Sequence, residues 1–199
     1  MTDRDPRLAF HTVSGRSVWP TDPRPGDEFL ITDIATGLGN NCRYTGQLPT
    51  FYSGAQHCVL VSKVLPVGTP AAVRLWGLMH DAHEAYLGDW SRPLLAALPK
   101  LRILEDRLLE PIVRSFGLEW PMPAIVKEAD DWVLALEKFR FSRPDAVRAL
   151  EDLRMPAGWP APAEAIRDLD QFYRSNVAQF LFLQRFEFLV AERARVGVS

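Results

Sequence analysis

The chain has 199 residues, a formal net charge of −2 and a pI of about 6.1, with no Ser/Gly-rich or single-sign linker, which predicts one domain with a sizeable core. Interspersed acids and bases exclude the broad basic face that neutralises DNA or RNA, so no nucleic-acid polymer is expected as partner, although one or two arginines suffice for a small anion. No apolar run reaches the roughly 20 residues of a membrane span and the opening MTDRDPRLAFHTV has no apolar signal core, so a cytoplasmic location with no membrane contact is expected.

Residues 1–30 carry Pro6, Pro20, Pro23, Pro25, Gly15 and Gly26, which excludes a long helix and predicts an irregular arm or short hairpin. The remainder, 31–199, reads as a single all-α core ending in a C-terminal helix. Thr32 is placed to cap a short helix carrying Ile34, Ala35 and Leu38, with Gly39-Asn40-Asn41 as its stop. An irregular polar loop follows from Arg43 to Thr50. Ser53 and Gln56 have the spacing of a capping box, so a helix should begin there with His57, Leu60, Val61 and Val64 on one inward stripe. The next helix is predicted from Ala71 to Leu87, with Val73, Trp76, His80, Glu84 and Leu87 at helical spacing and Gly88 as the stop. Pro93 sits in the first turn of another helix capped by Ser91, and Leu101 to Phe116 reads as amphipathic. Pro121 and Pro123 open a helix from Ala124 to about Phe139, whose apolar side is Ile125, Val126, Ala129, Trp132, Val133 and Leu136. Beyond the proline-rich stretch Pro156 to Pro162, one long helix is predicted to about Val190, carrying Phe172, Phe180, Leu181 and Leu189. Cys42 and Cys58, set among apolar and motif residues, suit small reduced thiols better than a disulfide framework.

Chemistry concentrates in His80-Asp81-Ala82-His83-Glu84. On an α-helix His80 and Glu84 stack one turn apart, with Asp81 to one side and His83 to the other. An apolar face then carries two imidazoles and two carboxylates inward, where charge is costly unless partnered, and a divalent cation is the simplest partner. Imidazole plus carboxylate suits zinc, manganese, cobalt or iron, and magnesium less well. Two adjacent ligands cannot close a site. His57 is the obvious third, and Asp130 and Asp131 compete for the fourth place; helical geometry favours Asp130, which borders the Val126 and Val133 stripe, while Asp131 joins Lys127 and Lys138 on the polar side. Glu84 has a plainer alternative, an ion pair with Arg92 or Lys100, and Asp89 could simply cap the following helix.

A lone His, then His-Asp, then Asp on successive helices resembles the HD-domain metal-dependent phosphohydrolases. The likeness is greatest to the small branch of bacterial 5′-deoxynucleotidases and phage deoxyadenosine triphosphate triphosphohydrolases. It rests on His80-Asp81-Ala82-His83-Glu84-Ala85-Tyr86-Leu87-Gly88-Asp89 followed by Pro93, on Val126-Lys127-Glu128-Ala129-Asp130, and on Cys42-Arg43-Tyr44 through Phe51-Tyr52-Ser53 to Gln56-His57, covering roughly residues 30 to 140. The resemblance implies a helical bundle with one divalent ion held by His57, His80, Asp81 and Asp130. It also implies that Glu84 acts on the catalytic water, that Asp89 contacts sugar or phosphate, that Arg43 binds phosphate, and that Tyr44 lies near the substrate where relatives carry a tryptophan. His83 has no assigned role in that pattern.

The expected activity is hydrolysis of the 5′-phosphoester bond of a (deoxy)nucleoside mono- or triphosphate, a small-molecule partner, and a homo-oligomer is left open. Hydrolysis of guanosine tetraphosphate or cyclic dinucleotides is the nearest alternative. A non-catalytic nucleotide sensor is another, and a di-iron oxygenase ranks below both because only His83 is spare.

Overall fold

The computed structural model describes residues 4–24, 26–141, 158–159 and 162–196. The chain is mostly helical. Among the described residues the α-helices are α1 (Ile31–Asn40), α2 (Gly54–Val64), α3 (Ala71–Met79), α4 (Glu84–Leu87), α5 (Arg92–Ala97), α6 (Lys100–Ser115), α7 (Ala124–Arg140), α8 (Pro162–Leu169) and α9 (Ser175–Val196). In the arm, two two-residue strands, β1 (Phe10–His11) and β2 (Ser17–Val18), pair antiparallel as the short hairpin that the sequence allowed. Among the described residues no helix is long and apolar enough to cross a membrane.

Helix α2 organises the bundle. Of its residues only Lys63 escapes burial, because the helix is sandwiched by α1, α3, α7 and α9. Cys58 and Val59 face one apolar core with Ile34, Leu38, Leu75, Leu78 and Phe182. Leu60, Val61 and Val64 face a second, built with Tyr52, Trp132, Val133, Leu136 and Leu169. Each fully buried Val, Leu or Ile stabilises by about 1.5–3 kcal/mol, so the two cores clamp α2, and His57 on it, in a fixed position. Ser53 is its N-cap, accepting from the Gln56 N–H at 3.2 Å. The reciprocal half of the predicted capping box does not form, because the Gln56 side chain donates instead to the Gln171 carbonyl.

Three predicted boundaries are corrected. Thr32 does not cap α1: Leu30 holds the extended cap position and the Leu30 carbonyl accepts from the Asp33 and Ile34 N–H groups. The helix expected over 71–87 stops at Met79 and resumes at Glu84. Between them Ala82 N–H reaches the Met79 carbonyl, Glu84 N–H the Asp81 carbonyl and Ala85 N–H the Ala82 carbonyl, the three-residue spacing of a tightened turn. The last long helix is two, α8 and α9, parted where the Gln171 carbonyl receives Gln56 and where Phe172 packs on Phe141 with centroids 6.0 Å apart. Most of the stretch from Pro156 to Pro162 lies outside the described residues.

Close approach by glycine brings the short α4 against α1. A Cβ on Gly37 would lie 2.5 Å from the Ala85 carbonyl oxygen, which is backbone and cannot swing aside. Glu84 Oε2 in turn lies near the start of α2, 3.7 Å from where a Cβ on Gly54 would sit.

Candidate metal centre

Three parts of the chain meet at one point. His57 comes from α2, His80 and Asp81 from the turn after α3, and Asp130 from α7. His57 Nε2 lies 3.2 Å from Asp130 Oδ1 and 3.7 Å from Asp81 Oδ2, while His80 Nε2 lies 3.1 Å from Asp81 Oδ2 and 3.8 Å from Asp130 Oδ1. All four residues expected as ligands are therefore together. His57, His80 and Asp130 each present a ligand atom within 4.8 Å of the others. Asp131 is 41% exposed at its side chain and pairs outward with Lys127 and Arg92, so the helical register that favoured Asp130 holds.

The orientation of both rings is set from behind. His57 Nδ1 is 2.6 Å from Glu137 Oε1, and His80 Nδ1 is 2.9 Å from the Gly77 carbonyl. Each Nδ1 is thereby engaged, and the two Nε2 atoms face the shared point, where a metal ion would take their lone pairs. His80 Nε2 is buried and, although close to Asp81, is not aligned with any hydrogen-bond partner. Two inward lone pairs and two carboxylates, with an orphaned nitrogen among them, fit a divalent cation.

Glu137 is the site residue that sequence reasoning missed. It is fully buried, and besides His57 it accepts from Tyr52 Oη at 2.9 Å on Oε1, and from Tyr44 Oη and Arg43 Nη2, each at 3.1 Å, on Oε2. Burial opposes its charge, but Arg43 and His57 outweigh burial and bring its carboxyl down to about 2. A signal existed: Glu137 is two helical turns beyond Asp130 on the same stripe as Val126 and Val133. Tyr52 lies within the Phe51-Tyr52-Ser53 stretch of the resemblance, which assigned it no role.

The remaining expected residues fall around this centre. Arg43 is buried, with Nη2 on Glu137 and Nη1 3.8 Å from Asp81, so it is a committed partner of the centre's carboxylates rather than an open arm for phosphate. Tyr44 adopts a left-handed backbone, φ 56°, as does Thr45, φ 51°; strain of this kind costs roughly 1–3 kcal/mol and is held here by the Tyr44 bond to Glu137. Asp89 accepts a backbone hydrogen bond from Tyr44, and its carboxyl is raised by burial and by Asp81, against the pull of Arg43. Glu84 makes no pair with Arg92, which binds Asp131; its Oε2 is buried and without a hydrogen-bond partner. Burial, Asp81 and Asp89 together raise the Glu84 carboxyl well above the usual carboxylate range. His83 is buried with Nδ1 also unpartnered, and burial brings its imidazole down to about 4, against the opposing pull of Asp81.

The centre's own titration has one direction. Burial alone would lower both ligand imidazoles, yet Asp81 and Asp130 outweigh burial at His80, and Glu137 and Asp130 do so at His57, leaving both raised. Against burial, the hydrogen bond with His57 and the nearby His80 ring hold Asp130 well below its usual range. Such carboxylates attract positive charge, whether protons on the rings or a metal ion.

A separate cavity of about 400 Å³ lies on the far side of α2, lined by Gln56, Lys63, Leu169 and Arg185 among others. Tyr52 is its link to the centre, with its ring in the cavity wall and its hydroxyl on Glu137.

Comparison with other proteins gives kinship without chemistry. The uncharacterized protein YfdR of Escherichia coli is 41% identical over 127 residues, which cover 64% of this chain and 68% of that protein. The chain belongs to the same family as YfdR. An uncharacterized protein of Rhodobacter capsulatus is 38% identical over 123 residues, and this match spans less than two thirds, 62%, of that relative's length. No family model matches the chain.

Proposed function

We propose that the chain is a metal-dependent phosphohydrolase that cleaves the 5′-phosphoester bond of a (deoxy)nucleoside mono- or triphosphate. The observation that carries the reading is the convergence of His57 Nε2 and His80 Nε2, each ring anchored at Nδ1, on the carboxylates of Asp81 and Asp130. In this reading these residues hold one divalent ion, with zinc, manganese, cobalt and iron better suited than magnesium. A bound ion of this kind supplies Lewis acidity and lowers the pKa of a coordinated water.

The chain's own groups supply the rest. Glu84, its carboxyl raised well above the usual range by burial and by neighbouring Asp81 and Asp89, is placed to hand a proton to the leaving sugar oxygen. Asp89, fixed by the Tyr44 N–H, offers an acceptor for a sugar hydroxyl. Arg43 offsets the charge of Glu137 and Asp81 and so lessens their repulsion of a phosphate group. The resemblance of the His80–Asp89 string to small deoxynucleotidases is what directs the choice of substrate class.

The test is a screen of deoxynucleoside mono- and triphosphates, guanosine tetraphosphate and cyclic dinucleotides with Mn²⁺, Co²⁺ and Mg²⁺. Release of phosphate or triphosphate from the deoxynucleotides is expected, and it should be abolished in His80→Ala. Turnover confined to the other two classes would move the substrate. Absence of turnover from a metal-loaded protein that still binds nucleotides would replace the enzyme reading by a sensor.

A further inference from the structure

The tightened turn at residues 80–84 does more than place two ligands of the first centre. With three residues per turn, side chains at i and i+3 eclipse, so Asp81 and Glu84 project together. His83 joins them: Asp81, His83 and Glu84 each offer a ligand atom within 4.8 Å of the other two. Two of these groups lack partners. His83 is 7% exposed, and its Nδ1 and Glu84 Oε2 are both buried without a hydrogen bond. A buried donor or acceptor left without a partner is costly, and two such atoms belong to this one cluster. Asp81 turns Oδ2 to His57 and His80, and a carboxylate has a second oxygen with which to bridge.

Charge points the same way. Asp81, Glu84, Asp89, Asp130 and Glu137 crowd the region, against Arg43 inside and Lys127 on the outer oxygen of Asp130. Lys127 is shared with Asp131, so acidic side chains outnumber basic ones here, an imbalance that favours bound cations.

We propose that Asp81, His83 and Glu84 form a second, weaker position for a divalent transition-metal ion, adjacent to the first centre and sharing Asp81 with it. It is weaker because it has three protein ligands, one of them shared, against four at the first centre. One imidazole with two carboxylates selects zinc, cobalt or manganese over the harder cations. The proposal rests on the metal-centre reading above, and its consequence for turnover is inhibitory. An ion on Glu84 occupies the carboxyl that the proposed reaction uses, so excess metal slows the reaction that one equivalent supports.

The experiment measures stoichiometry, independently of turnover. Protein stripped with chelator is dialysed against rising Zn²⁺, and bound metal is determined by elemental analysis for the parent, His83→Phe and His83→Gln. Phenylalanine keeps a ring in the buried position and removes both nitrogens; glutamine, smaller and polar, serves if phenylalanine disturbs folding, which circular dichroism reads. The expected result is two steps totalling about two ions per parent chain, with the weaker step alone lost in the folded His83 variants. A single step in the parent, or a weaker step that survives in both variants, overturns the proposal. Absence of the tight step in the parent is a different result: it removes the first centre, and this one with it.

Discussion

Replacing Glu137 by Gln tests whether the centre is oriented from behind, because the two residues differ by one atom. Glu137 uses both oxygens as acceptors: Oε1 receives His57 and Tyr52, and Oε2 receives Arg43 and Tyr44. An amide must place its NH₂ on one side. Toward His57, it donates to Nδ1, which drives the ring's hydrogen to Nε2 and removes the lone pair from the metal position. Toward Arg43, it sets donor against donor beside a buried cation left without its counter-charge. Either way the centre weakens. Groups that orient metal-bound imidazoles are typically worth about 10- to 100-fold in metal affinity, or about 1.4 kcal/mol for each factor of ten. Glu137→Ala leaves buried Arg43 with only the longer Asp81 contact, and breaking a buried pair from one side costs about 3–5 kcal/mol. Against a usual total of about 5–15 kcal/mol, that variant should unfold at much lower denaturant. Competition with a chelating dye measures the affinity and urea unfolding the stability. Glu137→Gln with parental metal affinity would refute the orienting role, and Glu137→Ala with parental stability would refute the buried pair.

Three further outcomes are expected. Asp130→Ala should lower metal content sharply while Asp131→Ala leaves it near the parent's, because Asp131 pairs only with exposed Lys127 and Arg92 in the structure; elemental analysis decides, and equal losses would break the assignment. Glu84→Gln should keep the tight metal ion and lose roughly 10²- to 10⁴-fold in turnover on the best substrate, the range of general acid–base assistance, and unchanged turnover would pass the proton to another group. The last is a pH dependence of the metal-free protein. Glu137 has its folded pKa depressed to about 2, so its contribution is present above the unfolded value of about 4.3 and is lost as pH falls from there toward about 2. Urea unfolding at stepped pH in chelator should therefore show a shallower acid limb for Glu137→Gln than for the parent, and parallel limbs would contradict the assignment.

Much of the fold is legible because amphipathic periodicity reports burial directly. The α6 and α7 patterns predict helices that the structure begins and ends within a residue or two, and the α2 start falls one residue from its predicted place. The misread places are those where a tertiary partner took a backbone or capping group away from the local pattern. Gln56 abandons the capping box because the Gln171 carbonyl lies within its reach, a contact across 115 residues that local spacing cannot encode. The turn at 80–84 defeats periodicity for another reason: its spacing fits an α-helix as well as a three-residue turn, and the close Gly37–Ala85 contact is visible only once α1 and α4 are packed.

The same reasoning explains which site residues the sequence discloses. His57, His80, Asp81 and Asp130 are polar residues on apolar stripes, and such an anomaly is visible without a structure. Glu137 is an anomaly of the same kind, on the same stripe as Asp130, but near the helix end, where it reads as one more charge among Lys138 and Arg140. Its burial depends on Tyr44, Tyr52 and Arg43, which arrive from a strained loop more than 80 residues away. That dependence runs in both directions. The Tyr44 hydroxyl on Glu137 holds the left-handed turn, the turn places the N–H that fixes Asp89, and Glu137 holds His57. One buried carboxylate thus ties the metal position to the groups beside it, so loosening the Arg43–Tyr44 loop should disturb metal affinity and the Asp89 contact together rather than separately.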